Sequence, residues 1–421
     1  MSSRIDGAVL RELRERAGLG LRRIAGRSAL SVSVGHLSRV ERGERRVTPA
    51  VVTAYEQALG TRIADAVAGS PHRTERLDDL EREAFTSTIG KVAAGGSPGE
   101  PVDRLLEVAG GSITPPSRVG ATDVVQVEQA ASIVRCMDLR FGGGLVWQMA
   151  EPLLRWAVGL HAASMTDTTR TRLDAAVGAL AGATAWAAFD DGRQKAARAM
   201  FTVALDSAER ADDADLRAHV MADAAAHYNY LGHPEDCLTI LRLEGDERVG
   251  QAVRCVLHGV KAHVYAAKGD PGRCAREMEL AQVTCAALDP GDVPRWLGGV
   301  DSAHTQAVCG HAAAVLAGVT GRDADRADAR KLLTQAIGGL DRSGRVRALA
   351  LCQTRLTMIH LAAGEGDQAV RCARQALATA AGVRSARVSR DLAAVREAAA
   401  GPPGGSPLVS VAALFAATPQ P

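Results

Sequence analysis

Glycine recurs through the second half of this chain with small residues at set distances from it, and that pattern leaves few folds open. Take a turn glycine as origin. A small residue is then needed seven places before it, where two paired helices cross, and at five and twelve after it, where the second helix packs back. Around Gly232 stand Ala225, Tyr228 and Leu231, then Cys237; around Gly269, Ala262 and Tyr265, then Cys274 and Ala281. Gly364 is followed by Ala369 and Ala376, Gly192 brings Ala185 and Ala204 with Ala196 one place early, and Gly321 fits with a longer turn through Ala314, Ala329 and Ala336. Successive origins lie 40, 37, 52 and 43 residues apart. A helix pair repeated at such a period cannot bury its apolar face alone, so the pattern predicts stacked antiparallel helices.

Composition agrees. Hydrophobic residues make up 47% of the 421 and aromatics only 3%, so the core must come from alanine, leucine and valine in closely approaching helices. No window alternates apolar and polar residues as a half-buried strand would. The expected class is all-α. We divide the chain into residues 1–69, a small amino-terminal domain; 70–120, a helical connector with Gly/Pro-rich loops; 121–400, the helical repeats; and 401–421, a tail. The connector holds a charged helix from about 71 to 92, a hinge at 93–99 and a short helix around 102–108. Gly142-Gly143-Gly144 reads as an inter-helix turn, because it lacks the Gly-Lys-Ser/Thr ending of a phosphate loop. The start resembles no signal peptide and no apolar run is long enough to span a membrane, so the expected location is the cytoplasm. Residues 408–417 are apolar but short, a docking strip or disordered tail.

Residues 32–43 carry the clearest functional signal. Ser33 can cap a short helix and Gly43 can end it in the left-handed conformation. Leu37 and Val40 share one face with Ser33 and Glu41 flanking, while Gly35, Ser38, Arg39 and Arg42 share the other. Leu10 and Leu13 begin an amphipathic helix before it, Leu21, Ile24 and Ala25 start a second, and Thr48-Pro49 opens a fourth that runs through Val51, Val52, Tyr55 and Leu59. Residues 1–62 hold twelve arginines against six carboxylates, a local charge of +6 in a chain whose total is +2. Phosphate neutralisation requires such a local basic patch.

This order of short helices, with Leu37-Ser38-Arg39-Val40-Glu41-Arg42-Gly43, resembles the Cro/repressor-type helix-turn-helix domain of bacterial regulators, the XRE family. The resemblance implies that Val34, Gly35 and Arg39 reach base edges. Val34 can contact only a thymine methyl and Gly35 only permits close approach, so Arg39 is the candidate for bidentate guanine recognition. His36 and Ser38 flank that face, Ser33 caps it, and Arg42, Arg45 and Arg46 are implied phosphate contacts. The family pattern pairs Glu41 with Arg14 as a structural ion pair. Two departures stand out. The turn is longer by two residues around Leu30 and Ser31, and Leu21 replaces the glutamine that anchors the second helix to the backbone. Arg22, Arg23 and Arg27 supply charge there instead, or simply form a solvated face.

The glycine-anchored pattern is similar to the tetratricopeptide repeat, though longer and degenerate; an ordinary alanine-rich bundle is the alternative. The whole resembles helix-turn-helix regulators with tetratricopeptide-like carboxy-terminal regions, of actinobacterial type, which an excess of arginine over lysine also fits. The implied function is a sequence-specific transcriptional regulator, homodimeric on a pseudo-palindromic double-stranded operator, with a peptide or small-molecule effector in the concave repeat groove. Groove candidates are His227, Asn229, His263, His304 and Gln306, each of which also has a plain reading as a core or surface residue. The alternative function is an adaptor scaffold that binds other proteins without specific DNA readout. The eight cysteines contain no Cys-x-x-Cys pair and read as small packing residues in a reducing compartment. His258 and His263 are poorly spaced for one metal, and no cofactor or metal is expected. Asp190-Asp191 and Glu277 with Glu279 form no acid/base constellation, so no catalysis is expected.

Overall fold

A chain that buries mainly alanine must bring helix axes close together, and every extended element here is helical; one isolated bridge, Arg118 to Ser164, is the only β pairing among the described residues. The computed structural model describes residues 7, 10, 11, 14, 19–27, 32–59, 85–91, 116–242 and 248–399. The longer turn around Leu30 and Ser31, the hinge at 93–99, the helix expected at 102–108 and the strip at 408–417 lie outside them, and of the charged helix only 85–91 is described. The chain divides into two compact units, residues 1–73 and 74–421.

In the amino-terminal unit, helical positions Gly7, Leu10, Arg11 and Arg14 precede α1 (Leu21–Arg27), α2 (Val34–Glu41) and α3 (Pro49–Leu59). Its core is Leu10, Ile24, Leu37, Val40, Val51, Ala54, Tyr55 and Ala58. Gly7 lies against the end of α2: a β-carbon there would fall 1.7 Å from the Val40 carbonyl oxygen.

The large unit runs α4 (Ala121–Phe141), α5 (Gly143–Gly159), α6 (Asp167–Asp190), α7 (Gln194–Arg210), α8 (Ala214–Tyr230), α9 (Pro234–Arg242), α10 (Gln251–Ala267), α11 (Pro271–Ala286), α12 (Ser302–Thr320), α13 (Asp323–Ser343), α14 (Val346–Ala362), α15 (Gly366–Ala380) and α16 (Ala386–Ala399). From α6 to α15 the helices form consecutive pairs, and α6, α8, α10, α12, α14 and α16 pack side by side along one layer. All five turn glycines have positive φ, from 67° to 88°. Ala185, Ala225 and Ala262 before the turns, and Cys237, Cys274 and Ala369 after them, are wholly buried. After Gly192 the buried residue is Ala197, five places on, and not Ala196. The long step between Gly269 and Gly321 comes from the segment between α11 and α12, whose Leu297 and Val300 turn inward and are buried.

The stack joins its own beginning, so it is not the open groove that the sequence suggests. Gly144 N–H donates to the Arg384 carbonyl at 3.0 Å and Arg384 N–H to the Phe141 carbonyl at 2.9 Å. Gly143 N–H and Ser385 Oγ both donate to Asp190, each at 2.8 Å. The glycines make the joint: a β-carbon on Gly142 would lie 2.5 Å from the Arg384 oxygen, and one on Gly143 2.2 Å from the Ala187 oxygen.

Candidate functional site

Helix α2 is too short to stand alone, and its neighbours hold it from the buried side. Leu37, Val40 and Glu41 are buried. The Ser33 hydroxyl accepts from His36 N–H at 3.2 Å, satisfying one of the helix's free donors, and Gly43 follows with φ 75°. Thr48 Oγ1 accepts from Val51 N–H at 3.4 Å and starts α3 in the same way.

Glu41 is the anchor. Its carboxylate takes a bidentate pair from Arg14, Nε at 2.7 Å and Nη2 at 2.8 Å, and a third hydrogen bond from the Tyr55 hydroxyl. Arg14 Nη1 reaches on to the Leu19 carbonyl at 3.1 Å. Burial, and then the Glu41 bond, raise the Tyr55 pKa, so the phenol keeps its proton. The Arg14–Glu41 pair is therefore the structural one that the sequence implies. Sequence reasoning misses Tyr55 and Gly7 as parts of this anchorage: the helical spacing of α3 shows that Tyr55 is buried, not what its hydroxyl meets.

The opposite face is open. Val34, Gly35 and Arg39 are exposed, and nothing lies within 4 Å of where a Gly35 β-carbon would be. Arg39 Nε donates to the Gly35 carbonyl at 3.2 Å, laying the guanidinium along that face. His36 and Ser38 are half-buried at its margins. Arg42 is occupied differently: it holds Glu44 through Nε at 2.7 Å and Nη2 at 3.1 Å, and Ser38 Oγ through Nη1 at 3.0 Å. That bond keeps the Glu44 carboxyl below its usual range. Arg22, Arg23, Arg45 and Arg46 are exposed, and no side-chain partner for them is seen among the described residues. The open face of α2 thus carries the Arg39 guanidinium beside a glycine with free space above it, and exposed arginines precede and follow the helix, which suits a partner lined by phosphates.

Residues 7–68 match a family model described as a helix-turn-helix domain. Helices α1, α2 and α3 all lie within the matched residues, and the domain is of a DNA-binding kind. No curated protein matches the chain. The helix-turn-helix domain is followed by the large helical unit, and among the described residues no helix is long and apolar enough to cross a membrane.

Asn229, His263 and His304 line a cavity of about 400 Å³ inside the large unit. His227 and Gln306 do not, which corrects their placement. Two residues along a helix turn the side chain by about 200°, so His227 and Asn229 cannot face the same way, nor can His304 and Gln306. His227 is fully buried, with Nε2 2.7 Å from Gln194 Oε1 and its ring edge-on to Phe189. Gln306 is half-buried away from the cavity. The two histidines whose spacing suits no shared metal have separate partners. His258 Nδ1 meets Glu277 Oε2 at 2.7 Å, while His263 Nε2 meets the Val308 carbonyl at 3.1 Å.

Proposed function

We propose that this chain is a sequence-specific DNA-binding transcriptional regulator of the XRE kind, with a tetratricopeptide-like sensing domain behind its reader and no catalytic role. The Glu41 anchor supports this reading best. A carboxylate gripped by Arg14 and Tyr55 fixes the depth and angle of α2, and the same rigidity presents Val34, Gly35 and Arg39 together on the outer face. Arg39 reads guanine through its paired N–H groups, Gly35 allows the helix to approach the base edges, and Arg42, Arg45 and Arg46 neutralise phosphates. A single helix of eight residues reads few base pairs, so the regulator acts as a homodimer on a pseudo-palindrome with half-sites about one turn (~10 bp) apart. The large unit senses a peptide or small ligand in its interior.

A gel shift of the full chain on genomic DNA fragments across a salt series tests this. The expected result is binding whose logarithm falls linearly with the logarithm of salt concentration. Failure to hold double-stranded DNA even in dilute buffer, with intact helical folding by circular dichroism, overturns it. Sequencing the retained fragments then gives the operator.

A further inference from the structure

The lumen of the large unit joins two chemistries. Val256, Val260, Val308 and Leu351 give it apolar wall, while Arg135, Arg347, Arg355, Arg387 and Arg390 bring five guanidiniums to the same space. Carboxylates answer only part of that charge. Asp223 lies 3.8 Å from Arg135, Asp391 2.9 Å from Arg355, and Asp138 and Asp190 lie 2.6 and 3.4 Å from Arg347. Arg387 has only a distant 3.9 Å approach to Asp190, which Arg347 already shares. Arg390 stacks on Tyr230, its guanidinium carbon 3.7 Å from the ring centroid. Five cations face four carboxylates.

The donors are also left over. Arg135 Nε, Arg355 Nη1 and Arg387 Nε are buried with no hydrogen-bond partner among the described residues. A buried charged donor without a partner is costly, and several around one cavity call for an explanation. Histidines add no charge here: burial, then nearby arginines, lower His219 and His263 to about 3 and His304 to about 4. Burial pushes Asp223 up to about 6, which weakens the one carboxylate among the lining residues. Burial, with Arg347 and Arg355 close by, lowers the Arg387 pKa in spite of Asp190. Arg387 is meanwhile framed by Trp186, Phe189 and Tyr230, with ring centroids 5.3 to 5.8 Å away, which favours its charged form inside the lumen.

We propose that this lumen binds a compact organic anion, with one carboxylate or sulfonate head taken by Arg387, Arg355 and Arg135 and an apolar body against Val256, Val260 and Val308. The inference rests on the reading of the large unit as a sensing domain, and gives that domain its ligand class. One uncompensated positive charge calls for a singly charged head, and a planar guanidinium matches a carboxylate through two parallel hydrogen bonds. The volume admits a body of small-molecule size. Free organic acids and the terminal carboxylate of a very short peptide share this chemistry.

Fluorescence titration of the full chain with 8-anilinonaphthalene-1-sulfonate tests the site against N-phenyl-1-naphthylamine, which has the same rings and no charge. The expected result is one site per chain that prefers the sulfonate by about tenfold or more, the scale of a charge-assisted hydrogen bond. Arg387→Gln and Arg355→Gln should each remove about that preference. Equal binding of both probes to the unaltered chain overturns the proposal without recourse to any variant. So does a preference that survives both substitutions in folded protein. Displacement by octanoate identifies free acids as the source, and displacement by an acetylated tripeptide with a free carboxylate identifies peptide ends; either supports the site. Arg39→Ala should weaken binding to the preferred DNA sequence and leave the sulfonate titration unchanged. If the probe binds as expected while DNA is never bound, the regulator reading fails and the anion site stands.

Discussion

Arg347 donates to Asp138 at 2.6 Å across 209 residues of chain, both side chains almost wholly buried. This contact joins α14 to α4 and so fastens the late part of the helical stack to its start. Asp190, 3.4 Å from the same guanidinium nitrogen, ties in the amino terminus of α5 and Ser385. Arg347, which makes this fastening, also lines the lumen.

Removing one partner of that pair leaves buried charge behind. Arg347→Met should cost the large unit about 3–5 kcal/mol, because Asp138 and Asp190 lose their counter-ion. Asp138→Leu combined with Arg347→Met should recover part of the loss. Urea unfolding followed by circular dichroism measures both, and a double variant no more stable than the single one contradicts this account.

The reader depends on Glu41. Glu41→Gln removes a charge-assisted bidentate pair and should destabilise the amino-terminal unit by about 1.5–3 kcal/mol, whereas Tyr55→Phe should cost about 1 kcal/mol. Both changes should weaken DNA binding through the fold and not through any lost base contact. Gel shifts at a temperature where the variants stay folded should therefore recover the original sequence preference.

Gly7 abuts the end of α2. Gly7→Ala places a methyl carbon into the Val40 carbonyl. Although alanine favours helix, the overlap should dominate, with a net loss of about 1–3 kcal/mol. Thermal melting followed through the ring signals of Tyr55 in NMR checks the sign, and a stabilised variant refutes the contact.

Arg39 and Arg42 should separate reading from holding. Arg39→Ala should cost about 1–3 kcal/mol on the preferred sequence and relax the choice of base. Arg42→Ala should lower affinity for every duplex and reduce the salt slope by about one. Since Glu44 occupies Arg42 in the free protein, Glu44→Gln should strengthen binding to all sequences. Quantitative gel shifts on matched and scrambled duplexes distinguish the three.

Buried histidines set the acid limit of the large unit. Burial, then the Arg198 charge, lowers His227 to about 3, and it is held neutral in the fold. In the unfolded chain it titrates at about 6.5. Its contribution is thus full above that value and is lost as pH falls toward 3, at about 1.4 kcal/mol per unit. His219 and His311 act in the same sense. Asp223, raised by burial to about 6, opposes them as pH falls through the same window. Urea midpoints between pH 4.5 and 7 should rise with pH, and His227→Gln should flatten that slope by about one proton. An unchanged slope in the variant removes His227 from the account.

Short-range order is legible in the residues themselves. The cap at Ser33, the Leu37, Val40 and Glu41 face, the turn glycines and the buried alanines around them all depend on residues within two helical turns of one another, where the 3.6-residue period dictates which side chains coincide. That period also explains why Asn229 and His304 reach the cavity while His227 and Gln306, each two places away on the same helix, turn aside from it. What no local rule reaches is the company each face keeps. That Gly142 and Gly143 abut Arg384 and Ala187, that Arg347 crosses to Asp138, and that guanidiniums from α4, α14 and α16 share one cavity are matters of how a superhelix closes. Small crossing residues permit the helices to stack, but the accumulated rotation of thirteen helices, α4 to α16, decides where the last one lands.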